Sequence, residues 1–562
     1  MTYSIITASL VARTAIHLGS GQESGVTDAL IRRDGSGRPL IPGTALAGAL
    51  RAMLTRLGPR LAGVGLCVAL QHKAEDKAAR QSCQCGVCRL FGDINPSDDS
   101  GSHSTASKVL VFNAQLAGEP PPSAVRDGVG INRTTGAAAR AGAVKFDLEV
   151  LPAGATFTLR LELRNQDAQD EALLAAGLAE WQAGRAWLGG RVGRGLGAFA
   201  LQELTFAQLD LNQTDTLLAF LGADEPAAAA QPLAGWLADR LGQVTVTASP
   251  SPFAARRWFE VTATLQAGGP LLTNDTTTAG LTGFDHAPLL LQWGNWQKPV
   301  LTGAGLRGVM RSHAERLART LATLEAADGP AFLQACPACS PVESRDDKPL
   351  TSCDQLLKAR GVDEEKEVED GQLCLACRLF GSTRRGSRLL IEDAPYNGPG
   401  QPRLKMLDFL AVDRFTGGGA DGAKFDALAL WQPTFAFRLH LDNPERWELA
   451  WLALVLRDLQ AGWLAVGMGA AKGFGRVKLA DLSLQVGYLA EADVTDLGLS
   501  PQPGHSSGLY QVRPLTLPEA SPWLADFRQM LTDFSRPAEL ALTADSYFTT
   551  QIEPLYPKEV TL

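Results

Sequence analysis

The sequence predicts an α+β protein built twice over: two tandem units, each running β-α-β-β-α-β. Three observations carry this: five motifs that recur in the same order, alternating period-2 and period-3.6 apolar patterns in each copy, and a cysteine-rich insertion in each. At 562 residues the chain exceeds one ordinary core. A composition of 45% hydrophobic and 20% charged residues is globular, neither disordered nor fibrous.

The repeat is explicit. IPGTALAGALR at 41–51 recurs as LTGAGLRGVMR at 301–311, and CRLFG at 88–92 recurs at 377–381. INRTTG at 131–136 matches VDRFTG at 412–417, KFD at 145–147 matches KFD at 424–426, and RGLGAF at 194–199 aligns with KGFGRV at 472–477. The largest change in spacing falls before the second CRLFG, which locates an insertion there.

Each copy opens on a strand pattern, YSIITASLVARTAIHLG and WFEVTATLQAGGPLLT, followed by a turn and a helical pattern, TALAGALRAMLTRL and GAGLRGVMRSHAERLARTLATL. Alternating strands follow (KVLVFNAQL and TFTLRLEL; RLLIEDA and TFAFRLHL), then an apolar helix, a Gly-rich loop and a last strand. That order is ferredoxin-like, or RRM-like. The predicted boundaries are 1–209 and 255–489 for the two units, 210–254 for a linker region with AAAAQP and SPSP, and 490–562 for a Pro-rich C-terminal extension with a helix around 522–534. The extension is expected to dock onto a neighbouring subunit.

No stretch reaches the roughly 18 uninterrupted apolar residues of a membrane span. The N-terminus has no basic lead and no long apolar run, so a cytoplasmic location is expected. The net charge of −8 argues against a uniformly basic surface, but charge clusters locally. Residues 126–145 carry Arg126, Arg133, Arg140 and Lys145 against Asp127, and residues 378–388 carry Arg378, Arg384, Arg385 and Arg388 with no acid. Such patches can neutralise a phosphate backbone.

Eight of the nine cysteines fall in two short regions containing C-x-x-C, the pattern of metal ligands in a reducing compartment. Cys336, Cys339, Cys374 and Cys377 form two such pairs, with Cys353 left over; four thiolates in tetrahedral reach select structural Zn²⁺. In the first copy Cys83, Cys85 and Cys88 supply three ligands, and the fourth is His72 or Cys67. A closed four-ligand site leaves no place for water, so both are read as stabilising.

Taken together, IPGTALAGALR, CRLFG and GGRVGRGLGAF, repeated as LTGAGLRGVMR, CRLFG and GMGAAKGFGRV, resemble the RAMP superfamily of CRISPR proteins and within it the backbone subunits of type III effectors. Two such units in one chain look like the double-backbone fusion of type III-D systems. The resemblance implies partners: guide (CRISPR) RNA, target RNA, the large polymerase-like subunit and other RAMP backbone subunits. It also implies target RNA cleavage through an Asp shortly before the IPG motif, a position held here by Asp28 and Asp285, with Mg²⁺ or another divalent ion. A guide-RNA scaffold that does not cleave at one or both positions is the alternative, since Leu301 and Thr302 replace the IP of the second copy.

RNA contact is expected at the Gly-rich loops 189–197 and 467–475, with Arg191, Arg194, Lys472 and Arg476, and at the helix starts, with Arg51 and Arg311. Arg133, Arg384, Arg385 and Arg414 complete the expected set. Segments 126–145 and 408–424 look like the family's projecting thumb hairpin, with Val129, Ile131, Met406 and Phe415 as wedges between nucleotides. His17 and His286 are candidate general bases, and Asp34 in RRDGSG is read as a turn former.

Overall fold

One long strand organises each unit. In the computed structural model, which describes residues 2–24, 27–68, 83–93, 104–133, 136–139, 145–225, 230–249, 251–293, 296–340, 350–362, 368–502 and 504–542, the first unit begins with β1 (Thr2–Ala12) and helix α1 (Gly43–Leu57). Then come β2 (Val109–Val111), the hairpin β3 (Ala124–Val129) and β4 (Lys145–Val150), β5 (Thr156–Arg164), α2 (Ala168–Gln182) and β6 (Ala198–Asp210). The sheet order β6-β1-β5-β2, antiparallel throughout, is that of the ferredoxin-like fold.

The second unit repeats it. Strand β7 (Arg257–Ala267) leads to α3 (Gly303–Glu325), β8 (Leu389–Ile391), the hairpin β9 (Leu404–Val412) and β10 (Gly419–Trp431), β11 (Thr434–Asp442), α4 (Arg446–Gln460) and β12 (Val477–Tyr488). Its order is β12-β7-β11-β8. Even irregularities are duplicated: the register slips between Thr7 and Ser9 and again between Thr262 and Thr264. At the bulges Glu203 and Asp481 take φ of 53° and 50°, because the extra residue of a bulge is forced into the left-handed region.

Helix spacing explains the cores. In α1, Leu46, Leu50, Leu54 and Leu57 share one buried stripe that meets Ile6 and Leu10 of the sheet. The matching stripe of α3, Leu306, Met310, Ala314 and Ala318, packs against Trp451 of α4, whose indole N–H donates to the Ala314 carbonyl at 3.0 Å. The cysteine segments lie against these stripes rather than apart from them.

The 210–254 region folds onto the first unit. Trp236 stacks on Phe206 at 4.2 Å and donates to Glu171. The described part of the C-terminal extension, up to residue 542, also packs on its own chain. Strand β13 (Tyr510–Leu515) pairs with β12, and helix α5 (Trp523–Asp533) buries Trp523, Phe527 and Leu531 in the core of the second unit. Burying those large apolar side chains against the chain's own sheet leaves them unavailable to a neighbour.

The units meet at a seam of groups far apart in sequence. Arg133 pairs with Glu315 at 3.0 Å, Arg13 with Glu392 at 2.5 Å, and Arg60 donates to both Asp493 oxygens at 2.9 and 2.8 Å. The Gly-rich loop of the first unit abuts the start of α3: a Cβ on Gly195 would fall 2.7 Å from the Gly303 Cα. Asp393 ties both sides, accepting the Gly303 N–H at 2.9 Å and pairing with Arg126 at 2.7 Å. No helix among the described residues is long and apolar enough to cross a membrane.

Candidate functional site

Each unit brings its IPG-proximal Asp to the KFD strand of its own hairpin. Ala29 bridges Leu148, which lays the loop beside β4 and lets the Asp28 carboxylate accept the Asp147 N–H at 2.9 Å. In the second unit His286 bridges Ala427 in the same parallel sense, and Asp285 and Asp426 bond reciprocally. Across each hairpin a third carboxylate stands opposite: Asp127 faces Asp147, and Asp408 faces Asp426. Partial burial and the neighbouring Asp28 and Asp127 carboxylates push the Asp147 carboxyl above the usual range. KFD was visible in the sequence only as a repeat marker; the main-chain N–H of its Asp is what holds the candidate carboxylate in both units.

A cation sits beside each carboxylate group. Arg191 and Arg194 place their guanidinium carbons 4.1 and 5.5 Å from the centre of the Phe146 ring, and the Lys472 ammonium lies 4.2 Å from that of Phe425. All three basic residues, and Asp28 and Asp285, are exposed. An anionic ligand held by the cation would present its chain to the carboxylate next to it. The first site also receives Thr276 from the second unit, whose hydroxyl donates to Asp127 at 3.3 Å.

The histidines are placed differently. His17 is buried with Nδ1 2.7 Å from the Glu149 carbonyl, whereas half-buried His286 has Nδ1 3.2 Å from the Asn274 side-chain oxygen. Asp34 is a turn former, accepting from the Ser36 and Arg38 N–H groups.

Among the other expected RNA contacts, Arg414 and Arg476 are exposed. Four others are engaged within the chain. Arg311 is buried between Glu315 and the Cys377 sulfur, and Arg133 shares the same Glu315. Arg384, its side chain 1% exposed, pairs with Asp354 at 2.5 Å, and Arg385 pairs with Asp370. A charge as deep as that of Arg311 or Arg384 is held by its partner, whereas the Arg385 pair lies nearer the surface. Arg51, half-buried, donates to the Cys88 sulfur at 3.4 Å. Val129, Ile131, Met406 and Phe415 stand exposed on the two hairpins, Phe415 at 99%. Residues 134, 135 and 140–144 of the first hairpin, Arg140 included, lie outside the described residues.

Two buried cysteine quartets have sulfurs close enough to hold one metal ion each: Cys67, Cys83, Cys85 and Cys88, and Cys339, Cys353, Cys374 and Cys377. In the first, Cys67 takes the fourth position, 3.6 Å from the Cys88 sulfur; His72 lies outside the described residues. The second corrects the sequence pairing. Cys353 enters, because helix Cys353–Ala359 starts against the CRLFG segment and its sulfur accepts the Cys374 N–H at 3.4 Å. Cys336 stays out, its thiol donating to the Ala338 carbonyl at 3.3 Å while the residue packs with Phe332 and Leu333.

A duplicated ferredoxin-like chain, each copy carrying a cysteine quartet, an exposed hairpin and a Gly-rich loop beside a fixed carboxylate, is the class that fold and site define. The chain belongs to the RAMP superfamily, whose family model matches residues 9–200 and again 287–478. It is 30% identical over 118 residues to the protein named CRISPR system Cms endoribonuclease Csm3 of Methanocaldococcus jannaschii, a match covering 20% of this chain. The chain spans 43% of that relative's length.

Proposed function

We propose that the chain is a guide-RNA-binding backbone subunit of a type III CRISPR effector complex that cleaves complementary target RNA at two positions, one at Asp28 and one at Asp285. The observation that carries this reading is the duplicated placement of an exposed carboxylate, fixed by a main-chain N–H of the KFD strand, beside a cation resting on the KFD phenyl ring. The name of the relative supports the same chemistry.

RNA supplies its own nucleophile. The carboxylate takes the proton of a ribose 2′-hydroxyl, the 2′-oxygen attacks the adjacent phosphorus, and the bond to the 5′-oxygen breaks, leaving a 2′,3′-cyclic phosphate and a 5′-hydroxyl. The loop cation holds the phosphate charge, and an apolar residue of the hairpin, Phe415 in the second unit, holds the strand splayed. Asp28, Asp127 and Asp147, and their counterparts Asp285, Asp408 and Asp426, offer the hard oxygen donors that suit Mg²⁺, which would stabilise charge on the phosphate. The cysteine quartets, all sulfur and buried, suit structural Zn²⁺. The complex acts in the cytoplasm with the large polymerase-like subunit and other RAMP backbone subunits.

The test is target RNA cleavage by the assembled complex with Mg²⁺, comparing Asp28→Ala, Asp285→Ala and the double variant on a sequencing gel. Each single variant should lose a different band while RNA binding persists. Survival of every band in the double variant would leave a guide-RNA scaffold.

A further inference from the structure

We propose that Arg536 makes the C-terminal segment 534–542 an integral part of the second cysteine centre, so that this segment and the metal ion hold each other in place. The proposal rests on the zinc reading above.

The residues converge from opposite ends of the second unit. Arg536 is only 4% exposed although it lies near the end of the described chain. Its Nη1 is 3.7 Å from the Cys353 sulfur, its Nε donates to the Cys336 carbonyl at 3.2 Å, and its main-chain N–H donates to the Gln334 carbonyl at 3.0 Å. One guanidinium therefore grips a sulfur of the quartet and the main chain at Cys336, just past the helix Gly329–Ala335. The residues around it are anchored too. Phe534 lies in the core with the Arg378 guanidinium over its ring, and Leu542 joins Phe332, Leu333, Cys336 and Leu350 in a small cluster of its own.

Charge explains why an arginine is there. Four thiolates around Zn²⁺ carry a net charge of −2, which is costly inside a core unless donors and cations surround it. Arg311 contacts the Cys377 sulfur at 3.6 Å from one side and Arg536 contacts Cys353 from the other. At the first quartet Arg51 donates to the Cys88 sulfur. The Arg536 Nη2 atom is buried without a hydrogen-bond acceptor, so its stabilisation at this depth comes from the anionic centre rather than from a carboxylate. With the ion removed, the sulfurs no longer have to converge and Arg536 is left as an uncompensated cation, which favours release of 534–542. By linkage, loss of the guanidinium must weaken the hold on the ion by the same factor.

The full chain tests this directly. Metal content is measured first, then the rate of zinc transfer to a chromophoric chelator, then amide exchange over 534–542 with and without chelator. Arg536→Met keeps the apolar stem and removes the charge, Arg536→Lys keeps the charge, and Arg528→Ala, on the exposed side of α5, is the control. Two zinc ions per chain are expected, with one of two release phases accelerated about tenfold or more in Arg536→Met, partly restored in Arg536→Lys and unchanged in Arg528→Ala. Exchange over 534–542 should rise when zinc is removed. A chain containing two zinc ions whose 534–542 exchange ignores the chelator, or whose Arg536→Met variant releases both ions at the wild-type rate, overturns the latch alone. A chain with no zinc at the second quartet overturns the zinc reading and the latch with it.

Discussion

Asp285 and Asp426 hold each other through two hydrogen bonds: the Asp285 N–H donates to Asp426 Oδ1 at 2.8 Å, and the Asp426 N–H donates to Asp285 Oδ2 at 2.9 Å. In the first unit the main-chain N–H of Asp147 donates to Asp28 Oδ2, without a reciprocal bond from the Asp28 N–H among the described residues. The two sites thus place their carboxylates by related but unequal means.

Asp426→Ala, which removes the acceptor of the Asp285 N–H, should therefore lower cleavage at the second position by about a hundredfold, since a small misplacement of a reacting group costs about that much. Asp147→Ala, which keeps the N–H that holds Asp28, should cost the first position less. Quantified bands from one target RNA compare the two directly. Equal losses at both positions would mean that the carboxylates act for themselves rather than by positioning.

Salt dependence of RNA binding, guide and target measured separately, separates surface cations from structural ones. Replacing Arg194 or Lys472 by Ala should weaken binding and reduce the slope of log affinity against log salt by about one each. Arg384→Ala should leave that slope unchanged and instead lower the melting temperature, because Arg384 is spent on Asp354.

His440 lies at the seam between Trp187 of the first unit and Trp258 of the second, with ring centres 4.9 and 5.9 Å away. Burial pushes its pKa down to about 3, with Asp442 opposing and Arg185, Arg438 and Arg13 adding to the shift. A depressed pKa means the unfolded chain binds the proton first. The stability at stake is complete above about pH 6.5 and lost as pH falls towards 3, by up to about 1.4 kcal/mol per pH unit. Thermal unfolding at about pH 7.5 and about pH 5 should show this loss in the wild type and a smaller one in His440→Phe. Equal losses in both would assign the acid sensitivity to other groups.

Gly303→Ala tests how closely the units must approach. Its Cβ would stand 2.2 Å from the Ile391 carbonyl oxygen and 2.6 Å from the Gly195 Cα, all backbone, so neither side can yield cheaply. A loss of about 1–3 kcal/mol in chemical denaturation is expected. The same change at Gly308, on the same helix with open space around it, should cost nothing.

The duplication, the ferredoxin-like order of each copy, the hairpins and the two cysteine-rich segments were all legible in the sequence, because repeated motifs and side-chain periodicity are local properties of the chain. Asp28 and Asp285 were singled out by resemblance, and the structure places each beside its own KFD strand. What carried no local signal was pairing over distance. That Cys353 and not Cys336 completes the second quartet, that Glu315 takes up Arg133 and Arg311, and that Arg536 returns to the cysteines depend on which groups meet in the folded core. Both cysteines have acceptable spacing, and every arginine looks equally available in a linear string. Only tertiary structure decides, because an ion pair or a sulfur ligand set is selected by burial and by approach within a few ångströms, and those distances exist only once β7, α3 and the C-terminal segment have packed together.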